Sequence, residues 1–234
     1  MEENEAGTNY QTRVGALRRE KTRMRLIKSA LRVFANKGAD APLIDDFIAA
    51  AGVARGTFYN YFQTTSELLA AVAGEISDGV LRVIDPVVRT IDDPAMRMVT
   101  GVRLYMHMAK LYPLWGAFIT RVGTKRGSRG LLLDEYMTRD LQLGIDARRF
   151  HVSEVTVARD ISLGTIMYGI ETLLSDRAPQ DYAENMTYSL LLALGIEAIE
   201  ARSMAFSTLV ACPKPLGSIF ESIEGIGAMQ GRTE

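Results

Sequence analysis

A segment of about two dozen residues constrains the fold of this chain more than any other: IDDFIAAAGVARGTFYNYFQTTSE, from Ile44 to Glu67. Its composition predicts two short helices joined by a tight turn at Gly52, because glycine reaches positive φ angles at no steric cost. Ala50 and Ala51 are small enough to let the two helices cross closely. The apolar residues available to hold the second helix on the first are Val53, Phe58 and Phe62.

The exposed side of the second helix is predicted to be rich in hydrogen-bonding groups. A short helix of this kind is what reading of the DNA major groove requires. The alternative is a packed helical pair without a partner, which does not account for such a cluster of polar side chains. The residues concerned are Arg55, Thr57, Tyr59, Asn60 and Tyr61.

Charge is unevenly distributed along the chain, although the formal net charge is only −1. Residues 10–65 hold ten Lys and Arg against four acidic residues, whereas residues 66–234 hold 17 against 21. A basic end joined to an acidic body is the distribution expected when one end of a protein meets phosphate.

The composition narrows the class of protein. Hydrophobic residues make up 47% of the 234 residues, as in an ordinary globular protein. A single cysteine, Cys212, excludes an intramolecular disulfide and a metal cage built from cysteines. The longest apolar stretch, residues 190–199, is too short to span a bilayer, and the N-terminus lacks the apolar core of a signal peptide. We therefore expect a cytoplasmic protein that has no membrane partner.

Helical periodicity predicts an all-α fold, since no run of alternating β-branched residues is bounded by turn dipeptides. Residues 1–20 lack a hydrophobic period and are expected to form a flexible arm. Residues 21–66 would form an N-terminal helix-turn-helix domain of three helices. Residues 67–212 would form a larger helical domain, and residues 213–234 a C-terminal tail.

Start and stop signals place the individual helices. The first is predicted from Lys21 to a glycine cap at Gly38, with a buried face at Ile27, Ala30, Leu31 and Phe34. A capping box over residues 64–67 begins the fourth helix, which is expected to end at Pro86. Further helices are predicted at 94–111, 113–121, 129–144, 153–175 and 180–206.

The run AGVARGTFYNYF followed by TTSELL is very similar to the DNA-binding signature of the tetracycline-repressor (TetR) family of bacterial transcriptional regulators. The resemblance is specific because it joins the turn glycine, the aromatic run and the capped helix in a fixed order. The region from Lys21 to Ile84 fits the DNA-binding domain of the family as a whole. The rest of the chain agrees in length and helical character.

The resemblance implies roles for individual residues. It makes Arg55, Gly56 and Thr57 the front of a recognition helix and Asn60 a base-facing residue. Arginine reads guanine and asparagine reads adenine through paired hydrogen bonds. The implied phosphate contacts are Tyr59, Tyr61 and Thr65.

The chain departs from the family pattern at a few positions. Thr65 stands where the family often has lysine, which weakens one phosphate contact. Ala54 stands where serine is common, which removes a helix cap. The helix before the turn carries Leu43, Phe47 and Ile48 in place of smaller residues, which indicates altered packing.

Two patterns predict a homodimer, in agreement with the resemblance. Small residues recur at helical spacing at Ala158, Ser162, Thr165 and Gly169, which would allow another helix to approach closely. The stretch 190–196 is apolar on every side, so that it must be buried on more than one face. The alternative is burial within a single chain.

The middle helices are rich in methionine and aromatic residues, which fill irregular apolar space. They predict a mainly apolar cavity of about 300–1,000 Å³ for a hydrophobic or aromatic effector, with an ordinary core as the alternative. Arg103, His107 and Lys110 are expected on the polar face of their helix. The predicted cavity residues are Tyr105, Met108, Trp115, Phe118, Tyr136 and Met167.

These observations favour a transcriptional repressor that binds a pseudo-palindromic operator in double-stranded DNA and is released by an effector. No spacing of His, Asp or Glu indicates a metal or another cofactor, and no nucleophile stands beside a base. An enzyme is therefore not expected. A DNA-binding protein on the same fold without a ligand is the alternative that stays open.

Overall fold

The computed structural model describes residues 2–38, 42–122, 130–175, 177–217 and 219–223, with the side chains from Arg13 onward except that of residue 122. Within these ranges the regular structure is α-helical, as the sequence predicts. The helices are α1 (Glu2–Lys37), α2 (Ile44–Ala51), α3 (Arg55–Tyr59), α4 (Thr65–Val88), α5 (Pro94–Leu111), α6 (Pro113–Val122), α7 (Leu132–Asp146), α8 (Val155–Leu173), α9 (Tyr182–Ala193) and α10 (Ala198–Ala205).

The chain divides into two compact units, and the boundary between them falls inside α4. The first unit contains Met1–Val72 and the second Ala73–Gly225. None of the helices that the structure describes combines the length and hydropathy that a membrane span requires.

Helix α1 begins at Glu2, far ahead of the start at Lys21 that the sequence predicts. The segment before Lys21 has no proline, so nothing in it interrupts the backbone hydrogen bonds of a helix that has already nucleated. Farther along α1 the predicted face is confirmed, because Ile27 and Phe34 are fully buried. Gly38 ends the helix at a φ of 80°.

Aromatic rings form the core of the first unit. The ring of Phe47 on α2 lies 4.9 Å from that of Phe34 on α1 and 6.5 Å from that of Phe58 on α3. Phe62 extends the row, 6.2 Å beyond Phe58. The turn before α3 is confirmed at Gly52, which has a φ of 60°. These rings hold the short α3 in place, since a helix of five residues is not stable alone.

Helix α5 is the centre of the second unit and packs against each helix from α6 to α10. The structure corrects the predicted helix 180–206, because α9 ends at Ala193 and α10 begins at Ala198. Gly195 between them has a φ of 86°, and a Cβ there would lie 2.7 Å from the Cβ of His151. The break therefore needs a glycine, both for its backbone angle and for the close approach of His151.

Arg103 is buried, which corrects its expected place on a polar face. Its Nη2 donates to Glu184 Oε1 on α9 at 2.7 Å, and its Nη1 donates to the carbonyl of Ser207 at 2.6 Å. A buried arginine is tolerated only with such partners. It ties α5 to α9 and to the segment after α10, whereas His107 and Lys110 are exposed as expected.

A second polar cluster lies where α5 begins. The guanidinium of Arg149 contacts both oxygens of Asp93, which caps α5 by accepting from the Ala95 amide at 3.1 Å. The same guanidinium reaches the Glu200 carboxylate on α10 at 2.5 Å. Burial acts to raise the pKa of Asp93, but the bonds from Arg149 and Ala95 outweigh it and lower that pKa. The cluster therefore stabilises the ionised carboxylates.

Candidate DNA-binding surface and effector cavity

Helix α3 presents its polar residues outward and its aromatic anchors inward. Phe58 is fully buried, while Arg55, Gly56, Tyr59 and Asn60 are exposed. The helix spans five residues, Arg55–Tyr59, and Asn60 caps it. Helix-like hydrogen bonding nevertheless continues beyond Asn60, since the Phe62 amide donates to the Phe58 carbonyl at 3.1 Å. The remaining predicted contacts are half-buried: Thr57, Tyr61 and Thr65.

A capping box fixes the start of α4, the helix that follows α3. The Glu67 amide donates to Thr64 Oγ1 at 3.1 Å, and the Gln63 amide donates to Glu67 Oε2 at 2.6 Å. This is the predicted capping box, except that the returning bond reaches Gln63 in place of Thr64. Gln63 in turn donates through Nε2 to the Tyr59 carbonyl at 2.7 Å, so that the end of α3 is tied to the start of α4.

Two carboxylates in the first turn of α2 have different partners. Asp46 accepts from Lys37 Nζ at 2.7 Å and from the Leu43 amide at 2.9 Å. These bonds lower the pKa of Asp46, the lysine most strongly. Asp45 instead forms an ion pair through Oδ1 with Nη2 of Arg55, the first residue of α3. Lys37 and Asp46 thus fix α2 on α1, while Asp45 contacts the predicted recognition helix.

A small cavity lies in the second unit, among helices α4, α5, α7 and α8. Its volume is about 40 Å³, which is room for roughly three water molecules. This is far below the predicted range. Its walls are mainly apolar and include Leu81, Ile84, Val88, Met98, Val102, Leu133, Met137 and Ile166.

Charged and polar groups meet at one wall of this cavity. Arg139 donates from Nε and Nη2 to Asp140 at 3.0 and 2.8 Å, and its guanidinium lies 5.0 Å from the centre of the Tyr136 ring. Its Nη2 also lies 2.7 Å from Asp85 Oδ1, as an ion pair. Arg139 is the partner of this buried oxygen among the described residues, and a carboxylate oxygen carries two lone pairs. Asp85 therefore retains acceptor capacity at the cavity wall.

Tyr136 supplies a hydroxyl at the same wall. Burial raises the pKa of this phenol, and the charges of Asp85 and Glu135 raise it further. The hydroxyl accordingly stays protonated at neutral pH and can donate a hydrogen bond.

The structure places two of the six predicted cavity residues, Tyr105 and Tyr136, in the wall. Tyr105 is held by a 2.7 Å hydrogen bond between its hydroxyl and Ser77 Oγ on α4, and its ring packs 5.0 Å from Trp115. The other four are buried elsewhere and do not line the cavity: Met108, Trp115, Phe118 and Met167.

Sequence reasoning missed the charged wall residues Asp85, Arg97 and Asp140. A signal for them exists, because each occupies a core position of an amphipathic helix. Asp85 continues the buried row of Leu81 and Ile84 on α4, and Asp140 stands at the same spacing after Leu133, Tyr136 and Met137 on α7. A charged residue on an otherwise apolar helix face therefore indicates a polar group in the core or in a cavity wall.

The small residues predicted to face a partner chain are mostly buried within this one. Ala158 and Ser162 are inaccessible, and a Cβ on Gly169 would lie 2.5 Å from Cε of Met106, so that Gly169 admits α5 of the same chain. Thr165 is half-buried. The apolar stretch 190–196 is buried at four positions and exposed at the other three: Leu192, Ala193 and Gly195.

A different stripe of α8 is exposed and apolar. Val157, Ile161 and Tyr168 are 54%, 41% and 70% exposed and lie at helical spacing on one side. Gly164 lies between them, and a Cβ there would meet no atom within 4 Å. An exposed apolar stripe of this kind indicates an interaction surface.

Comparison with known proteins assigns the two units. Residues 26–72 match the bacterial regulatory proteins of the tetR family, and residues 93–206 match the tetracyclin repressor-like C-terminal domain. The chain thus has the helix-turn-helix of a DNA-binding transcriptional regulator. It belongs to the tetR family, as the resemblance implied.

The structure of RolR in complex with resorcinol is similar over most of the chain. It shares 31% of its sequence with this chain at a TM-score of 0.72, covering 84% of this chain and 98% of RolR. FadR from Bacillus subtilis in complex with stearoyl-CoA shows the same fold at 19% identity and a TM-score of 0.57, over 74% and 99% of the two chains.

A curated relative matches over a short part of the chain. The uncharacterized HTH-type transcriptional regulator YvdT of Bacillus subtilis (strain 168) is 39% identical over 49 residues. The match covers 21% of this chain and 25% of that protein.

Proposed function

We propose that the protein is a repressor that binds a pseudo-palindromic operator as a homodimer and is released by a small effector. The observation that carries the proposed DNA binding is the outward face of α3, where Arg55, Tyr59 and Asn60 are exposed above an aromatic core. Arg55 and Asn60 would read bases, while Gly56 allows close approach. The phosphate contacts would come from Thr57, Tyr59, Tyr61 and Thr65.

The proposed DNA binding is tested by selection of genomic DNA with the purified protein, followed by footprinting. We expect two inverted half-sites on one face of the duplex, about 34–36 Å apart or a multiple of that distance. A footprint without two related half-sites would contradict the proposed dimeric mode. Selection of the same fragments by a variant that lacks the Arg55 and Asn60 side chains would contradict the proposed reading residues.

The homodimer would form through the exposed stripe of α8. A second copy of the chain fits this surface because a two-fold axis pairs a stripe with itself, so that Val157, Ile161 and Tyr168 would cover their own counterparts. Gly164 would let the two helices approach closely. Sedimentation of the free protein tests this, and a monomer at micromolar concentration would contradict it.

The effector we propose is a small neutral aromatic compound with hydroxyl donors. Asp85 carries this proposal, because its buried oxygen has Arg139 as its partner and keeps a further lone pair for a ligand that donates a hydrogen bond. The apolar walls favour a ring, and the resorcinol bound by RolR is a ligand of this class. A carboxylate or phosphate would find no cation of its own here, because Arg97 and Arg139 already balance the charges of Asp85 and Asp140.

The size of the cavity means that it must open to admit such a ring. Met98 and Met137 lie in its wall and can adopt other rotamers at little cost. Helix α4 also lines the cavity, through Leu81 and Asp85, and the same helix begins beside α3 at Thr65. Displacement of α4 by the ligand would therefore reach the DNA-binding unit.

The volume of about 40 Å³ also favours the alternative, a DNA-binding protein without an effector. Calorimetry with phenol, resorcinol, catechol and benzoate separates the two. We expect resorcinol or catechol to bind to the wild-type protein, benzoate not to bind, and Asp85→Asn to weaken the phenols. Absence of heat with every compound would favour the protein without an effector.

A further inference from the structure

The ion pair between α2 and α3 involves the residue proposed to read a base. Asp45, the second residue of α2, contacts Nη2 of Arg55 through Oδ1. The two side chains are 69% and 60% exposed. Ion pairs at such exposure contribute little to the stability of the fold. Stability therefore does not account for this pair.

A carboxylate at this position has a cost for DNA binding. It stands beside a residue that approaches the duplex, where it is repelled by phosphate. The other acid of the same helix turn has a structural task, since Asp46 holds Lys37 and the Leu43 amide. Asp45 has Arg55 as its partner and caps no helix.

The geometry of the guanidinium shows what the pair can do. Arginine has five N–H donors in one plane, and a guanine O6/N7 edge uses only two of them. A carboxylate on Nη2 leaves the other donors available and restricts rotation of the side chain. It also offsets the charge that would otherwise draw Arg55 to any phosphate.

We propose that Asp45 is a positioning residue that sets the sequence specificity of Arg55. It holds the guanidinium for paired hydrogen bonds to guanine and disfavours its binding to the DNA backbone. The operator is thereby distinguished from other DNA at some cost in total affinity. This inference rests on the proposed role of Arg55 in reading DNA.

The test compares the wild type with Asp45→Asn, which removes the charge and keeps the shape. Affinities are measured for the selected operator, for the operator with its Arg55-dependent guanine replaced, and for random duplex DNA. We expect Asp45→Asn to bind random DNA more tightly and to lose about fivefold or more of the preference for guanine. Asp45→Ser serves as a second variant if the first does not fold.

Glu20→Gln is the matched control, because Glu20 is an exposed acid of the same unit and the change in charge is identical. It should leave the guanine preference at the wild-type value. In an Arg55→Ala background, Asp45→Asn should no longer alter that preference. A change that persists without Arg55 would overturn the inference, because the effect would then be general electrostatics.

The same affinities separate an error about Asp45 from an error about DNA reading by α3. If the wild type prefers its operator and Asp45→Asn retains the full guanine preference, only the role of Asp45 is wrong. If the wild type shows no sequence preference at all, the proposed DNA reading itself is wrong.

Discussion

The candidate functional groups of the two units differ in burial, since those of the first unit are exposed and those of the second are buried. In the first unit the aromatic residues Phe47 and Phe58 are buried, and polar groups such as Arg55 face solvent. In the second unit the charged residues Asp85 and Asp140 are buried in the wall of a cavity. The difference follows from the size of the proposed ligands, since a duplex is read from outside and a small molecule is enclosed.

This contrast predicts that damage to one unit spares the other. A substitution on the outside of the first unit should change DNA binding and leave the fold intact. A substitution in the cavity of the second should change ligand binding and its transmission to DNA.

The largest effect is expected from Ile161→Arg, which places a charge in the exposed stripe of α8. A buried unpaired charge is strongly unfavourable, so the proposed dimer should separate. With one half-site per molecule, operator affinity should fall by about 100-fold or more. Sedimentation and fluorescence anisotropy measure the two effects. Leu216→Arg is the control, because Leu216 is 90% exposed elsewhere in the second unit and its replacement should change neither.

Next in size is Phe58→Ala, which removes the central ring of the first unit. Truncation of a buried phenylalanine costs about 3–5 kcal/mol, which should unfold part of the population of a small unit and weaken DNA binding accordingly. The sole tryptophan, Trp115, is buried in the second unit, so its fluorescence reports on that unit alone. We expect unchanged emission in Phe58→Ala and a shifted emission in Phe118→Ala. Equal shifts in both variants would mean that the two units do not unfold separately.

A smaller effect is expected from Arg55→Ala, which leaves the fold untouched. It should cost roughly 1–3 kcal/mol per half-site and relax the preference at one base pair. Tyr59→Phe, which removes a proposed phosphate contact, should instead weaken all sequences about equally. Repeated selection of DNA by each variant distinguishes the two outcomes. An unchanged consensus with Arg55→Ala would remove α3 from its proposed role.

The helix-turn-helix that carries the proposed DNA-binding surface was predictable because it is local in sequence. Gly52, Phe58 and the exposed polar residues lie within one short segment, so that spacing alone places them. The cavity is not local, since it forms where four helices from distant parts of the chain meet. The sequence predicted an apolar cavity, but of its six predicted wall residues only Tyr105 and Tyr136 line the cavity in the structure.

The proposed dimer surface shows the same limit. Small residues at helical spacing mark close helix approach but do not say whether the neighbour is in the same chain. At Gly169 the neighbour is Met106 of α5, which only the packing of the second unit could reveal. The exposed residues Val157 and Tyr168 had no comparable signal, since single apolar residues are common on surfaces.

The smallest effect is expected in the stability of the second unit at low pH. Arg149 lowers the pKa of Glu200 and, against the effect of burial, that of Asp93. A carboxyl whose pKa is lowered by folding stabilises the protein above its unfolded pKa of about 4 and loses that contribution as the pH falls. Arg149→Met should therefore lower the melting temperature at pH 7, and its difference from the wild type should shrink below about pH 4. The control is Arg89→Met at an exposed site, and its melting temperature should differ little from that of the wild type at either pH. If the melting temperature of Arg149→Met is lowered by the same amount at both pH values, the loss is one of packing and not of charge.

The most direct test of coupling between the two regions is the operator affinity of the wild type and of Asp85→Asn, titrated with resorcinol and catechol. In the wild type we predict a loss of affinity of roughly 5- to 150-fold at saturation, the usual range of allosteric coupling. In Asp85→Asn the operator affinity without ligand should equal that of the wild type, and release should require more of the phenol. An operator affinity that neither compound changes in the wild type would contradict the proposed effector control.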